Sequence, residues 1–244
     1  MIIDVVLLPE DLPRRQARPA IVVFDVLRAT TTMIAALAAG VREVRVYSEI
    51  ESARRGAAQF GPGALLCGEA RCLRPAGFDL GNSPGDFSRV HAGRTLFMST
   101  TNGTRAILAA RDGEPLLIGA LVNAAAVAAA LHGRVSGVTL LCAGTNGRIA
   151  MEDVVGAGAV MHELQQLGSI ECVSDAARMA LGLFLHARSD LRSVLREGDG
   201  GRNVMAAGLG GDIDFAAKLN SIAVAGHVQA NPLRVIVWEP RVGV

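Results

Sequence analysis

Lysine is almost missing from this chain: Lys218 is the one lysine among 24 basic residues, so arginine carries the positive charge. Aromatic residues are scarce as well, at 4% against 50% hydrophobic residues in all, which leaves alanine, valine, leucine and glycine to dominate. That is the usage of a soluble α/β protein with a large aliphatic core. The net charge of +1 supplies no broad field, so neither nucleic acid nor a membrane is expected as a partner and electrostatic work must be local. Cysteine is limited to Cys67, Cys72, Cys142 and Cys172 with no CxxC pair, which argues against zinc and for thiols that behave as small hydrophobes. His91, His132, His162, His186 and His227 show no metal-ligand spacing either. No apolar run approaches the roughly 20 residues of a membrane span and no basic-then-apolar leader opens the sequence, so a cytoplasmic protein is expected.

What is present is alternation. Short β-branched runs ("IIDVVLL", "AIVVFD", "EVRVY", "ALLCGE", "RTLFMS", "PLLIGA", "GVTLLCA") are separated by Ala/Leu-rich stretches with helical spacing. The pattern predicts helices over "ATTTMIAALAAG", ended by Gly40, over "EIESARRGAAQF", from Gly103 to Arg111, over "NAAAVAAALH" and over "MEDVVGAGAVMHELQQL". Alternation of this kind predicts a three-layer α/β/α arrangement with a mostly parallel, mixed sheet. The last third reads as helical until "LRVIVW", a closing strand, and "REGDGGRN" reads as a mobile glycine-rich surface loop. No linker is visible, so residues 1–244 are expected to form a single domain. The alanine-rich helices also suggest a homodimer.

In parallel α/β sheets ligands bind where strands end and helices begin. Four such junctions carry functional side chains: "FDVLRATTT", "CGEARC", "MSTTNGTR" and "CAGTNGRIAMED". If their strands are parallel, all four open on one sheet edge. Asp25 ends a buried apolar strand, where a carboxylate must be paired or bind a metal. The plain reading is an Asp25–Arg28 ion pair with threonine capping; the sharper one makes Asp25 a magnesium ligand or a phosphoryl acceptor. A haloacid-dehalogenase type of aspartyl nucleophile needs Asp-x-Asp, and Leu27 stands at the second position. Glu69, Glu152 and Asp153 end or follow neighbouring strands, and with Asp25 they form a set of hard oxygen donors suited to Mg²⁺.

The Thr-Asn-Gly stretch occurs twice, at Ser99–Thr104 and Ala143–Arg148, each time with an arginine. Thr100, Thr101, Asn102, Gly103, Thr104 and Arg105 in the first, and Asn146, Gly147 and Arg148 in the second, offer hydroxyls, amides and forked cations for an anion near helix starts. Both glycines are expected in the left-handed region, and simple helix capping is the bland alternative.

These segments resemble the magnesium-dependent 2-phosphosulfolactate phosphatase family. The resemblance runs through "FDVLRATTT", "GFDLGNSP", "TTNGTRAI", "LIGALVNAAAVA" and "CAGTNGRIAMEDVVGAG", with a weaker echo in "GGDIDFAAKLN". It implies hydrolysis of 2-phospho-3-sulfolactate to 3-sulfolactate and phosphate, a step toward coenzyme M, with Asp25, Glu69, Glu152 and Asp153 as catalytic and metal-binding carboxylates. It likewise implies substrate contacts from Arg28, Thr30, Asn82, Ser83 and the two Thr-Asn-Gly loops. Arg71-Cys72 departs from the glycine-rich turn expected after Glu69. Two alternatives stay open: an aspartyl-phosphate intermediate at Asp25, and a small-anion binding protein without catalysis.

Overall fold

A strand with both faces covered reads as a continuous apolar run, and the segment Ala20–Phe24 (β2) is buried at every position. Its side chains divide between two cores. Val22 and Phe24 pack with one set of helices, while Ile21 and Val23 pack on the opposite face. That split is the physical content of a three-layer α/β/α fold. The computed structural model describes residues 1–12 and 19–239. Among them the strands are β1 (Ile2–Val6), β2, β3 (Glu43–Tyr47), β4 (Ala64–Gly68), β5 (Thr95–Ser99), β6 (Leu116–Gly119), β7 (Gly137–Cys142), β8 (Glu171–Cys172), β9 (Gly226–Ala230) and β10 (Leu233–Val237). They form one sheet in the order β4-β5-β3-β10-β9-β6-β2-β7-β1-β8.

The helices follow the expected periodicities closely where strand–helix alternation holds. α1 (Ala29–Ala38) stops just before Gly40, whose φ of +93° is the left-handed conformation expected there. α2 (Ile50–Phe60) and α3 (Gly103–Ala109) come next, followed by α4 (Ala124–Leu131) and α5 (Met151–Leu167). The last third contains α6 (Asp175–Ala187), α7 (Leu191–Glu197), α8 (Asp199–Ala206) and α9 (Gly210–Ala216). Two strands there, β8 and β9, carry too little alternation to stand out in the sequence. "REGDGGRN" is not a mobile loop: it is the end of α7 and the start of α8, and Gly198, Gly200 and Gly201 are buried. No helix among the described residues is long and apolar enough to cross a membrane.

The sheet is mixed in a way that matters for the loops. β6, β2, β7, β1 and β8 are mutually parallel, and so are β3, β5 and β4. Between the blocks lie three antiparallel pairings, β3–β10, β10–β9 and β9–β6, so the two blocks run in opposite directions. The expectation that all four junctions leave one edge of a parallel sheet therefore fails. The loops meet nonetheless, because each strand is rotated by about 20–25° from its neighbour and the twist accumulates between β5 and β2. α1 lies across the junction of the blocks, packed against β3, β10, β9 and β6. Its residues Ala29, Met33 and Ile34 join side chains of both blocks in one core.

Candidate active site

The junction after β2 is knotted on itself. The Thr30 amide and hydroxyl both donate to the Asp25 carbonyl at 2.9 Å, and the Asp25 amide donates to Thr30 Oγ1 at 3.1 Å. Thr31 donates to the Val26 carbonyl and Thr32 to that of Asn82. These threonines are fully buried, so their hydroxyls shape the loop and do not reach a ligand. The product of the knot is an Asp25 carboxylate that is 7% exposed, with Oδ1 accepting the Ala29 amide at 3.0 Å. Gly103, at the start of α3, is pressed against it: an added Cβ would lie 2.6 Å from Asp25 Oδ2 and 2.5 Å from Ala29 Cβ.

Behind Asp25 sit two more acids from the start of α5. Asp153 binds the loops together, Oδ1 accepting the Val26 amide at 2.8 Å and Oδ2 the Gly144 amide at 3.0 Å. Glu152 is 1% exposed and its Oε2 has no hydrogen-bond partner among the described residues. It abuts the start of α8 so tightly that a Cβ on Gly200 would overlap Oε1 and one on Gly198 would sit 2.8 Å from Oε2. The glycines of "GDGG" thus serve close approach to a carboxylate, and the helix start is the favourable end of a dipole for that charge. Burial pushes the Asp25 carboxyl up to about 6, with Glu69 adding to the rise against the Ala29 and Gly103 amides. Burial likewise pushes Glu152 up to about 7, helped by Asp25 and Asp199. Asp153 is raised well above its ordinary value by burial and by Asp25 and Glu152, against its two amide bonds.

Among the described residues no arginine forms an ion pair with this group, although Arg28 and Arg202 each favour one of its charges weakly from a distance. Arg28, for which the plain reading is a pair with Asp25 and the resemblance implies a substrate contact, has another partner: its Nη1 meets Asp212 Oδ2 at 2.7 Å, with both groups buried. Nη1 also donates to Ser83 Oγ at 3.3 Å, Nη2 to the Cys72 carbonyl at 2.6 Å, and Ser83 Oγ to Asp212 at 2.9 Å. Arg28 is a clamp joining three distant segments, and Ser83 is part of that clamp. Glu69 is also engaged, Oε1 accepting the Thr101 amide at 2.7 Å and Oε2 the Cys72 amide at 2.8 Å.

A cleft of about 470 Å³ opens above Asp25. Of the residues anticipated from the sequence, Asp25, Arg28, Glu69, Asn82, Thr101, Asn102 and Asn146 line it. Asn82 is 3% exposed and its Oδ1 has no partner. Thr30, Thr100, Gly103 and Thr104 are buried beneath the wall, Thr100 and Thr104 bonding each other. Arg105, Gly147 and Arg148 are exposed and outside the lining. The cleft also draws on residues not assigned to a site from the sequence: Arg71 and Cys72, Asn203, Val204 and Ala206 from α8, and Ala207 just after it. The α8 residues were hidden by a glycine run that resembles a loop. Asp212, the partner of Arg28, lies in the "GGDIDF" stretch whose resemblance is weakest.

The two Thr-Asn-Gly stretches are not equivalent. Asn102 and Gly103 enter α3 without left-handed backbone, correcting the expectation for Gly103. Asn146 (φ +52°) and Gly147 (φ +72°) form a two-residue hairpin turn, closed by Thr145 and Arg148. They are neighbours all the same, the Asn146 amide donating to Asn102 Oδ1 at 3.4 Å.

Among the described residues no three Asp, Glu, His or Cys side chains gather closely enough to enclose a metal by themselves. Mg²⁺ asks for less: one or two carboxylates, with waters and phosphate oxygens completing its shell. Asp25, which lines the cleft, and Glu152, whose Oε2 has no partner among the described residues, fit that demand, while Asp153 and Glu69 each use both oxygens to accept amides from two loops.

Residues 6–231 match the model of the 2-phosphosulpholactate phosphatase family. A protein of Carboxydothermus hydrogenoformans named "Probable 2-phosphosulfolactate phosphatase" is 38% identical over 96% of this chain and 96% of its own. Proteins of the same name are 39% identical in Deinococcus radiodurans, covering 86% of this chain and 88% of that one, and 31% identical in Clostridium beijerinckii, covering 92% and 95%.

The clamp yields a stability prediction. Asp212→Ala leaves the Arg28 guanidinium buried without its counter-charge, which costs about 3–5 kcal/mol. For a chain of this length that lowers Tm by roughly 6–20 °C in a thermal melt. A change below about 2 °C would mean that Arg28 is held by its other partners alone.

Proposed function

The chain belongs to the 2-phosphosulpholactate phosphatase family, and from that membership together with the cleft we propose that it hydrolyses 2-phospho-3-sulfolactate to 3-sulfolactate and phosphate with Mg²⁺. In this reaction a water oxygen bonds to phosphorus, the bond from phosphorus to the lactate oxygen breaks, and the leaving oxygen takes up a proton. The observation that carries the reading is Asp25 on the cleft lining with Glu152 and Asp153 buried behind it, none of them in an ion pair among the described residues, and with Glu152 Oε2 left without a partner there. Asp25 and Glu152 would hold the metal, which supplies charge neutralisation of the phosphoryl oxygens and orientation of the attacking water. A site that bound anions directly would not place carboxylates there, which weighs against a binding protein without catalysis.

The chain's own groups divide the remaining work. Of the three clustered buried acids, Asp25 is the one that lines the cleft, so it would face the reacting phosphate and its water. Asp153 fixes that position from behind by holding both the Asp25 loop and the loop after β7. Glu69 ties the Thr101 wall to the turn after β4. Asn82, Asn102 and Asn146 bring side-chain amides to the walls, neutral donors that can orient ester oxygens without competing with a metal. The Val204, Ala206 and Ala207 surface of α8 shields one side from water.

Phosphate release measured with and without Mg²⁺ tests the proposal, using 2-phosphosulfolactate, 2-phospholactate and phosphoglycerate. Turnover that depends on Mg²⁺ and prefers the sulfonated ester is expected. Asp25→Asn should lower kcat/KM at least about a hundredfold, the scale of a lost catalytic group. It should melt no lower than the wild type at neutral pH, because a neutral amide replaces a buried charge. Appreciable turnover per folded molecule in this variant would remove Asp25 from the chemistry.

The two glycines give a separate test. Gly147→Ala meets no neighbouring atom, so it suffers only left-handed strain of about 1–2 kcal/mol and should keep most of its turnover. Gly103→Ala drives a methyl group into Asp25 and Ala29, and its kcat/KM should fall further than its Tm explains. Equal kinetic losses in the two variants would contradict this placement.

A further inference from the structure

We propose that Arg71 determines specificity by receiving the second anionic group of the substrate, the carboxylate or sulfonate carried beside the phosphate. The assignment rests on the phosphatase reading above. Among the described residues two cations line the cleft, Arg28 and Arg71. Arg28 is buried and already neutralised by Asp212. Arg71 is exposed, and its guanidinium has no ion pair or hydrogen bond to any described residue. Of the described cations that line the cleft, it is therefore the one still available to a ligand.

Its backbone is held in an uncommon conformation over the cleft. Arg71 (φ +51°) and Cys72 (φ +68°) form a two-residue turn, closed by Ala70 and Leu73 amide–carbonyl bonds of 3.0 and 3.2 Å. Turns of this hand ordinarily use Asn and Gly, and side-chain-bearing residues persist in them only when the surroundings fix them. Here the surroundings do so. Glu69 Oε2 accepts the Cys72 amide while its Oε1 accepts the Thr101 amide, and Arg28 donates to the Cys72 carbonyl. One carboxylate thus sets the distance between the Arg71 turn and the Thr101–Asn102 wall. A second, independent feature points to a ligand in the same place. Asn82 is buried with an unpartnered Oδ1, it lines the cleft, and its neighbour Ser83 is tied through Arg28 to the Arg71 turn. The acid group at the floor suits the phosphate and its metal, but it repels a second oxyanion. That group must lie where a free guanidinium can meet it with paired N–H donors.

The test uses Arg71→Gly and Arg71→Lys. Glycine relieves the left-handed strain, so Arg71→Gly should melt at or above the wild-type temperature. Its kcat/KM on 2-phosphosulfolactate should nevertheless fall about ten- to hundredfold, mostly through KM, as for lost uniform binding of a charged group. Arg71→Lys should lie between, since an ammonium keeps the charge without the fork. Two further esters separate the anions: 2-phospholactate carries only the carboxylate and the phosphate ester of isethionate only the sulfonate. The ester on which the loss shrinks lacks the group that Arg71 reads. An equal loss on both and on phenyl phosphate, which has no second anion, would overturn the proposal, as would no loss at all. Calorimetric titration with 3-sulfolactate and with lactate decides the point independently of turnover. Tighter binding of 3-sulfolactate by the wild type, abolished in Arg71→Gly, supports it; identical binding by both proteins contradicts it. Failure of the wild type to hydrolyse any ester would count against the phosphatase reading alone.

Discussion

Three carboxylates buried together at the end of a sheet, with no ion pair to a cation among the described residues, set the terms for everything around them. Moving one ionised carboxylate out of water is expensive, and placing three near one another compounds it. Asp153 is tolerable because both oxygens accept backbone amides. Asp25 has an amide on Oδ1 and the Gly103 backbone close by Oδ2. Glu152 keeps one oxygen without any partner. Arg28, three residues from Asp25 in sequence, is directed away to Asp212. A structure that only needed stability would have paired Asp25 with that arginine; acids left without an ion pair are what the proposed divalent cation would require.

The same site explains the unusual sheet. Strands whose loops must converge belong to two blocks that run in opposite directions, separated by the β9–β10 hairpin. Twist brings the ends together, and Arg28 then fastens the turn after β4, the Asn82–Ser83 segment and α9 to the start of α1. Glu69 and Asp153 act as two more ties, each spanning two loops with both oxygens. The cleft is held by buried, charge-assisted hydrogen bonds between loops as much as by the aliphatic cores beneath them.

Much of this was legible in the residues. Strand–helix alternation up to α5, the left-handed Gly40, and Asp25 as a buried carboxylate at a strand end all follow from periodicity and from the cost of burying charge. The rest was not. "GDGG" signals a flexible loop by composition, yet those glycines make room for Glu152 and Leu195. The two Thr-Asn-Gly stretches look alike as text but differ in φ, since tertiary contact with Asp25 decides the first and a free hairpin the second. The choice of Asp212 as partner of Arg28, 184 positions away, depends on a fold that no local pattern encodes. The sequence pointed to Arg28, Arg105 and Arg148; of these Arg28 lines the cleft, joined there by Arg71, while Arg105 and Arg148 lie outside the lining.

The central claim is that the acid group awaits a divalent cation, and thermal stability reports on it without any substrate. Asp25 and Glu152 have folded pKa values of about 6 and about 7, above their ordinary 3.8 and 4.5. Between roughly pH 4 and 7 the folded state then binds more protons than the unfolded one, so these groups make stability fall as pH rises. A cation that binds the ionised pair reverses that loss. A melting series at pH 5 and pH 8, in chelator and in millimolar Mg²⁺, is the most direct measurement. The account predicts a lower Tm at pH 8 than at pH 5 in chelator, and a rise of several degrees on adding Mg²⁺ at pH 8, equivalent to about 2–3 kcal/mol near saturation, with little change at pH 5. A Tm that does not fall between pH 5 and 8 in chelator, or one that Mg²⁺ moves equally at both pH values, would contradict it.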